Sequence, residues 1–361
     1  MGELRDVIDG RSGRLAITMA IALATWACGP QPASPSAGSA TPPPAPGGTA
    51  TTASDPASTV DSSGPVLASE GRLIWLVDAA GAAGLWTTDL TGGDAVVYLP
   101  PVRNDPTTPR DAILVGDAIV VIVDRPGASE LTIVRPGTAP RVVLDRVSQV
   151  MPDTAESVIA VRDEDARQQV VRVPLGNGRP AVLWEAAFPR DASAASSPFG
   201  VALSPDRRTV AAGWVGGTVT IVGPTTSTID DVGAPLVVGD GGRLAATFGR
   251  AGEAYRIDGD AVIDLAPPDS DPLALAGTGF VAWPVVDAGG TLTAIQLEDV
   301  LAGASRTFPV RGPASALREF RPDHVLLETT PFDPLHRTIG YLELGDGRFG
   351  TFEAAAPAPA D

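Results

Sequence analysis

The stretch FGVALSPDRRTVAAGWVGGTVTIVGPTTSTIDDV, residues 199–232, contains four short apolar or alternating runs separated by turn residues. SPDR at 204–207 separates the first two runs, and Gly216-Gly217 separates the next two. Short runs rich in Val, Ile and Thr are typical of β-strands, and Pro, Asp and Gly each suit tight turns. The stretch therefore predicts four consecutive antiparallel strands.

The same pattern recurs along the chain. Candidate units begin near residues 66, 111, 147, 199, 234, 272 and 315. Turns comparable with SPDR stand at Met151-Pro152-Asp153, Arg321-Pro322-Asp323, Gly116-Asp117, 239–242 and 277–279. Four strands repeated every ~40–45 residues are typical of propeller blades, which cover one another's faces around an axis. The predicted fold class is all-β, a β-propeller of seven four-stranded blades over residues 65–353. A propeller of six or eight blades and a pair of β-sandwich domains are the alternatives.

SPDRRTVA at residues 204–211 resembles the SPDGR-type turn of WD-repeat-like propellers, including TolB-type blades. Partial versions of the turn occur in about five other units. The Trp-Asp dipeptide and the Gly-His pair of true WD repeats are missing. The resemblance implies a propeller fold, and because this motif is structural it implies no particular activity.

Residues 1–27 are predicted to be a signal peptide. Arg5, Arg11 and Arg14 precede an uncharged, mostly apolar run at residues 15–27. This run is shorter than the ~20 apolar residues of a membrane-spanning helix, and it fits the apolar region of a signal peptide. The sequence therefore predicts export from the cytoplasm.

The single cysteine, Cys28, follows this run directly. Thr25-Trp26-Ala27-Cys28 resembles a bacterial lipobox; it matches at Ala27 and Cys28 and departs at Thr25 and Trp26. The resemblance implies diacylation of Cys28 and a lipid anchor that holds the protein at the membrane surface of the cell envelope, outside the cytoplasm. Ordinary secretory cleavage near Ala27, which would release the protein, is the alternative.

Two segments are predicted to be disordered. Residues 28–64, after the lipid-attachment cysteine, consist almost entirely of Pro, Ser, Thr, Ala and Gly, and residues 354–361 have a similar composition. Such segments bury too little apolar surface to offset their ordering entropy, and proline keeps them extended. The first is interpreted as a tether and the second as a short tail.

The charge of the chain limits its partners. The formal net charge is -17, and every cationic side chain among the 26 Lys and Arg is arginine. Because nucleic-acid binding requires a basic surface, it is excluded as the predicted function. We expect a monomer.

No catalytic, metal or cofactor site is predicted. His324 and His336 are the only histidines, and neither has a nearby Cys or second His for zinc. A triad through His336 and Asp333 would lack the Gly-x-Ser-x-Gly elbow. The acidic clusters at 162–167 and 269–271 lack the glycine and closing Glu of a calcium loop.

The aromatic residues are interpreted as core. Aligning the second strands of two units places Trp214 opposite Phe248, which predicts a packing position shared between blades. The functional expectation is a non-enzymatic binding or scaffolding module for a protein, peptide or glycan. The alternative is an extracytoplasmic hydrolase or lyase whose site, at the mouth of the central channel, gathers carboxylates or arginines from several blades.

Overall fold

The computed structural model describes residues 66–67, 71–77, 79–80, 82–100, 108–125, 127–188, 199–250, 252–259, 261–267, 270, 272–288, 291–313, 317–328 and 335–358. The predicted signal peptide, Cys28 and the tether lie outside these residues. The described residues form 28 β-strands and no α-helix. They accordingly include no apolar helix of membrane-spanning length.

The strands form seven four-stranded antiparallel sheets, here called blades, and each blade consists of strands consecutive in sequence. The strands of blades 1 to 4 are β1 (Val66–Leu67), β2 (Leu73–Val77), β3 (Ala83–Thr88) and β4 (Val96–Leu99); β5 (Thr108–Val115), β6 (Ala118–Arg125), β7 (Ala128–Val134) and β8 (Arg141–Asp145); β9 (Val147–Thr154), β10 (Ser157–Glu164), β11 (Arg167–Pro174) and β12 (Ala181–Ala187); and β13 (Phe199–Leu203), β14 (Val210–Trp214), β15 (Gly217–Val222) and β16 (Thr226–Val232). The strands of blades 5 to 7 are β17 (Ala234–Val238), β18 (Leu244–Phe248), β19 (Ala254–Asp258) and β20 (Ala261–Ala266); β21 (Leu273–Ala274), β22 (Phe280–Val286), β23 (Thr291–Asp299) and β24 (Ala304–Pro313); and β25 (Leu317–Phe320), β26 (His324–Glu328), β27 (His336–Glu343) and β28 (Phe349–Ala355).

The predicted seven-bladed propeller is confirmed, and the alternative of two β-sandwiches is excluded. The first strands begin at residues 66, 108, 147, 199, 234, 273 and 317, so the largest error is three residues, at 108 against the predicted 111. The decisive stretch folds as β13–β16, with SPDR at the turn between β13 and β14.

Aromatic side chains fill the space between neighbouring blades. Trp184 of blade 3 lies 5.5 Å from both Phe199 and Trp214 of blade 4, measured between ring centroids. Phe248 of blade 5 lies against Gly200 of blade 4. Trp214 and Phe248 each end the second strand of their blade and pack on the preceding blade, which confirms the predicted shared position.

The close approach of blades 4 and 5 requires glycine at residue 200. A Cβ atom there would lie 2.6 Å from the carbonyl oxygen of Pro235 and 3.0 Å from Cβ of Ala234. We expect Gly200→Ala to lower the free energy of unfolding by about 1–3 kcal/mol, because β13 and β17 would have to separate. Urea denaturation measures the change. Gly350→Ala in β28 is the control, since nothing lies within 4 Å of its Cβ position; equal losses in both variants would contradict the explanation.

The ring closes without a shared strand, because β1–β4 and β25–β28 form separate sheets. Blade 7 instead packs on blade 1 through an apolar cluster, here called the seam. The seam consists of Leu73, Trp75, Trp86, Leu326, Ile339, Ala354 and Ala356, with Leu90, Leu335 and Tyr341 packed against it. Closure therefore depends on side-chain packing rather than on a ladder of backbone hydrogen bonds.

The C-terminal residues contribute to the seam. β28 extends to Ala355, two residues past the predicted domain boundary at 353. Ala354 and Ala356 are buried, and the Ala79 amide donates a 2.8 Å hydrogen bond to the carbonyl of Pro357. The alanine-rich composition suggested a tail, but small side chains are also what a tightly packed strand edge accommodates.

Candidate functional site

A central channel with a volume of about 400 Å³ lies among the described residues. The first strands of blades 2 to 7 line it, so the first strand of each of these blades is innermost. The apolar part of its wall includes Ile113, Met151, Val201, Leu203, Leu236, Leu273 and Leu275. Leu273 is 38% exposed although it is apolar, because it faces the channel. Each first strand is also an edge strand, so part of its backbone N–H and C=O groups face away from the sheet, toward the channel axis.

Charged side chains gather where the first strands of blades 3, 4 and 7 turn into the second. Asp153, near the end of β9, has a fully buried side chain and accepts a 2.8 Å hydrogen bond from Nε of Arg172 on β11. Nη1 of Arg207, in the β13–β14 turn, lies 3.9 Å from Oδ1 of Asp153. Nη2 of Arg172 also donates to the Arg207 carbonyl at 3.0 Å, which ties blade 3 to blade 4.

Blade 7 contributes the other half of this group. Nε of Arg321 donates to Oε1 of Glu319 at 3.1 Å, and both residues line the channel. Nε2 of His324 lies 3.4 Å from the same oxygen, and Nδ1 lies 3.1 Å from Oδ1 of Asp323. The imidazole stacks on Tyr341 with ring centroids 5.2 Å apart. We call Asp153, Arg172, Arg207, Glu319, Arg321 and His324 together the channel-end cluster.

Four buried atoms of the channel-end cluster have no hydrogen-bond partner. They are Oδ1 of Asp153, Nη1 of Arg207, Oε2 of Glu319 and Nε2 of His324. A buried polar atom without a partner costs about 1–3 kcal/mol, and such atoms are rare in folded proteins. Glu319 lines the channel, as do Pro152, next to Asp153, and Gly277, against which Arg207 lies, so these atoms lie at or directly behind the channel wall.

Arg207 has a strained backbone. Its φ is +61°, in the left-handed region, and it stands where the SPDGR-type turn has glycine. Its guanidinium lies against Gly277 of blade 6, where a Cβ atom would be only 2.2 Å from Cζ of Arg207. Strained non-glycine residues cluster at functional sites, so the position of this side chain suggests a use beyond the turn.

The surroundings lower the pKa of Arg207. Burial has the largest effect, Asp153 raises the pKa, and the positive charges of Arg172 and Arg321 lower it again. The three arginines from three blades are thus close enough to act on one another electrostatically. Together they exceed the two carboxylates of the channel-end cluster by one positive charge.

His324 makes stability depend on pH. Burial is the largest influence and lowers its pKa, but Glu319 and Asp323 raise it, and the net pKa lies above the usual 6.5. A raised pKa means that protonation stabilises the fold. This stabilisation is complete below about pH 6.5 and is lost as the pH rises through the raised value. We expect the free energy of unfolding, measured in urea from mildly acidic to alkaline pH, to fall less steeply in His324→Gln. An unchanged slope in the variant would contradict this role.

The other sequence-level candidates do not form a site. His336 begins β27 and is exposed, while Asp333, Asp269 and Asp271 lie outside the described residues. Residues 162–167 comprise the end of β10, the two-residue turn at 165–166 and the start of β11, and Arg162 pairs with Asp145 and Glu164. In the part of the chain that the structure describes, no three His, Cys, Asp or Glu side chains form a group that could hold a metal ion.

The channel-end cluster was missed at the level of sequence. Asp153 and Arg207 were recognised only as turn residues, and Arg172, Glu319 and Arg321 had no assigned chemistry. One signal was available: arginine replaces glycine at the fourth position of SPDRR, although φ is positive there.

Comparison with known proteins identifies the fold alone. No protein-family model matches the chain, and no curated protein matches it. The β-propeller domain of the Trilobed protease from Pyrococcus furiosus, described by its open velcro topology, is similar over 80% of this chain and 96% of that chain, with 13% identity and a TM-score of 0.52. A structure from a study of two prolyl endopeptidases is similar over 83% of this chain, with 14% identity and a TM-score of 0.53; this chain spans 50% of it. TolB from Acinetobacter baumannii gives a TM-score of 0.45 at 12% identity, over 80% of this chain and 65% of that chain.

Proposed function

We propose that the protein is an envelope-anchored binding or scaffolding module that receives a protein, peptide or glycan partner in its channel. The observation that carries the binding role is the channel itself, which combines apolar walls from six blades with a charged end. Ligand sites in proteins are concave, several hundred Å³ in volume and mostly apolar, with a few convergent polar groups. The channel has each of these properties.

Filling the channel tests the binding role. Purified full chain in mild detergent is used to select ligands from random displayed peptides and from a glycan array. Leu273→Trp places an indole in the channel and is expected to abolish selection. Val142→Trp on the outer strand β8, where the side chain is 51% exposed, is the matched control and is expected to retain it. Ligands that bind Leu273→Trp as well as wild type would show that the channel is not the site.

The proposed location at the cell envelope rests on the sequence of residues 1–28. Intact mass and detergent-phase partitioning of the full chain expressed in a bacterial host, with Cys28→Ala in parallel, test it. We expect the wild type to lose residues 1–27, gain lipid mass and enter the detergent phase. We expect Cys28→Ala to gain no lipid mass and to stay out of the detergent phase. Release of both variants as soluble protein would contradict the anchor and favour secretion.

A second candidate function is that of an extracytoplasmic hydrolase or lyase. The observation that favours it is the convergence of carboxylates, arginines and His324 from blades 3, 4 and 7 at the channel end. Mass spectrometry of a peptide and oligosaccharide mixture incubated with the protein would reveal cleavage. Cleavage lost in Glu319→Gln would favour the enzyme, and an unchanged mixture would favour the binding module.

A further inference from the structure

The charge at the channel end differs from that of the rest of the molecule. The chain as a whole is strongly acidic, with a formal net charge of -17. The channel-end cluster nevertheless contains three guanidinium groups and two carboxylates. Asp153 and Glu319 are each engaged by one arginine, through Nε of Arg172 and Nε of Arg321. The guanidinium of Arg207 has only the 3.9 Å contact with Asp153, and its buried Nη1 donates no hydrogen bond.

The three guanidinium groups exceed Asp153 and Glu319 by one positive charge, and a protonated His324 is matched by Asp323, 3.1 Å from its Nδ1. This excess fits a ligand group with one negative charge. A phosphate monoester carries nearly two charges and would be repelled by the two carboxylates already present. A carboxylate carries one, and its two oxygens accept paired hydrogen bonds from guanidinium groups. The cluster therefore favours a carboxylate as the anionic group.

The channel wall indicates what the carboxylate is attached to. Leu203 and Leu275 line the channel beside Gly277 and Arg321, so apolar surface begins directly next to the charged end. The edge strands add backbone hydrogen-bonding groups along the wall. A fatty acid would leave those groups without partners, whereas a peptide in extended conformation supplies its own N–H and C=O groups.

We propose that the channel-end cluster binds the terminal carboxylate of a peptide whose apolar C-terminal residues lie along the channel, with Arg207 and Arg321 as the recognising side chains. This rests on the proposed binding function. From a backbone with φ of +61°, the side chain of Arg207 reaches Gly277, which lines the channel.

The test uses two displayed libraries of random short peptides, one ending in a free carboxylate and one continued by a fixed Gly-Ser extension. The full chain in mild detergent is the bait. We expect apolar sequences to be enriched from the free-carboxylate library only. A selected peptide resynthesised as the acid should bind at least about tenfold more tightly than its C-terminal amide, as expected for a charge-assisted hydrogen bond.

Two variants test whether the preference for the acid over the amide depends on Arg207. Arg207→Gly restores the glycine that a positive φ favours, and Arg207→Asn is tolerated in the same region, so both are expected to fold; circular dichroism and thermal unfolding check this. Both should bind acid and amide equally. Arg208→Ala removes the neighbouring exposed charge and should retain the preference.

Each of the following outcomes would contradict the carboxylate proposal. If acid and amide bind wild type equally while Leu273→Trp binds neither, the channel function stands and the carboxylate proposal is wrong. A preference for the acid that persists in both folded Arg207 variants also overturns it, as does preferential binding of dodecanoate over every selected peptide. If neither library is enriched, both the carboxylate proposal and the peptide-binding function on which it rests are contradicted.

Discussion

Trp75→Ala is expected to lower the free energy of unfolding by about 3–5 kcal/mol, the usual loss for a large aromatic removed from a core. Trp75 is fully buried in the seam, and its Nε1 donates a 2.8 Å hydrogen bond to Oγ1 of Thr88. The seam has no shared strand to hold blades 1 and 7 together when side-chain packing is lost. Urea denaturation followed by circular dichroism measures the change.

Two controls separate packing from the hydrogen bond. Trp75→Phe keeps a ring in the seam and loses the donor to Thr88, so we expect it to be intermediate between wild type and Trp75→Ala. Hydrogen exchange should show faster opening of β2 and β27 in Trp75→Ala, while blades 3 and 4 keep their protection. A loss below about 1 kcal/mol in Trp75→Ala would mean that the seam does not limit stability.

Glu328→Ala is expected to lower the free energy of unfolding by about 3–5 kcal/mol, because it removes the carboxylate from a buried ion pair. The side chain of Arg337 is 1% exposed, and its Nη1 contacts Oε1 of Glu328. Nε of Arg318 donates to the other oxygen at 2.9 Å. Without the carboxylate, the buried guanidinium of Arg337 would lose this counter-charge and face the positive charge of Arg318, whose side chain is 36% exposed.

The matched control is an ion pair of the same type at the surface. Arg348 pairs with Glu343 at 2.6 Å, and the arginine side chain is 70% exposed. Glu343→Ala should change the free energy of unfolding by less than about 1 kcal/mol. Glu328→Gln, which keeps the shape and removes the charge, should lie between the two. Equal effects of Glu328→Ala and Glu343→Ala would contradict the buried-pair explanation.

The blade pattern could be predicted from sequence because it is local. Each strand of the stretch at 199–232 is bounded by its own turn residues, and a similar order of apolar runs and turn residues repeats in the other units. The boundary at blade 2 was less accurate: β5 begins at Thr108, before the apolar run that marked residue 111. Pro109 lies inside that strand, and proline normally argues against strand structure.

The channel-end cluster could not be predicted in the same way. Asp153, Arg207 and Glu319 lie in three different blades, and only closure of the ring brings them together. Each of these residues, considered locally, is an ordinary turn or strand residue. His324 was considered for zinc and for catalysis, but its actual neighbour is Glu319, on the preceding strand of its own blade.

The direction of the inner strands gives the ring two unequal sides. Each first strand begins at the links between blades and ends at turns such as 204–207, so the chain enters β1 on the side opposite the channel-end cluster. Under the proposed lipid anchor at Cys28, the tether would join the ring on that entry side and the channel-end cluster would lie at the opposite mouth. A disordered tether lets the domain rotate, so a partner could reach the charged mouth without passing the point of attachment.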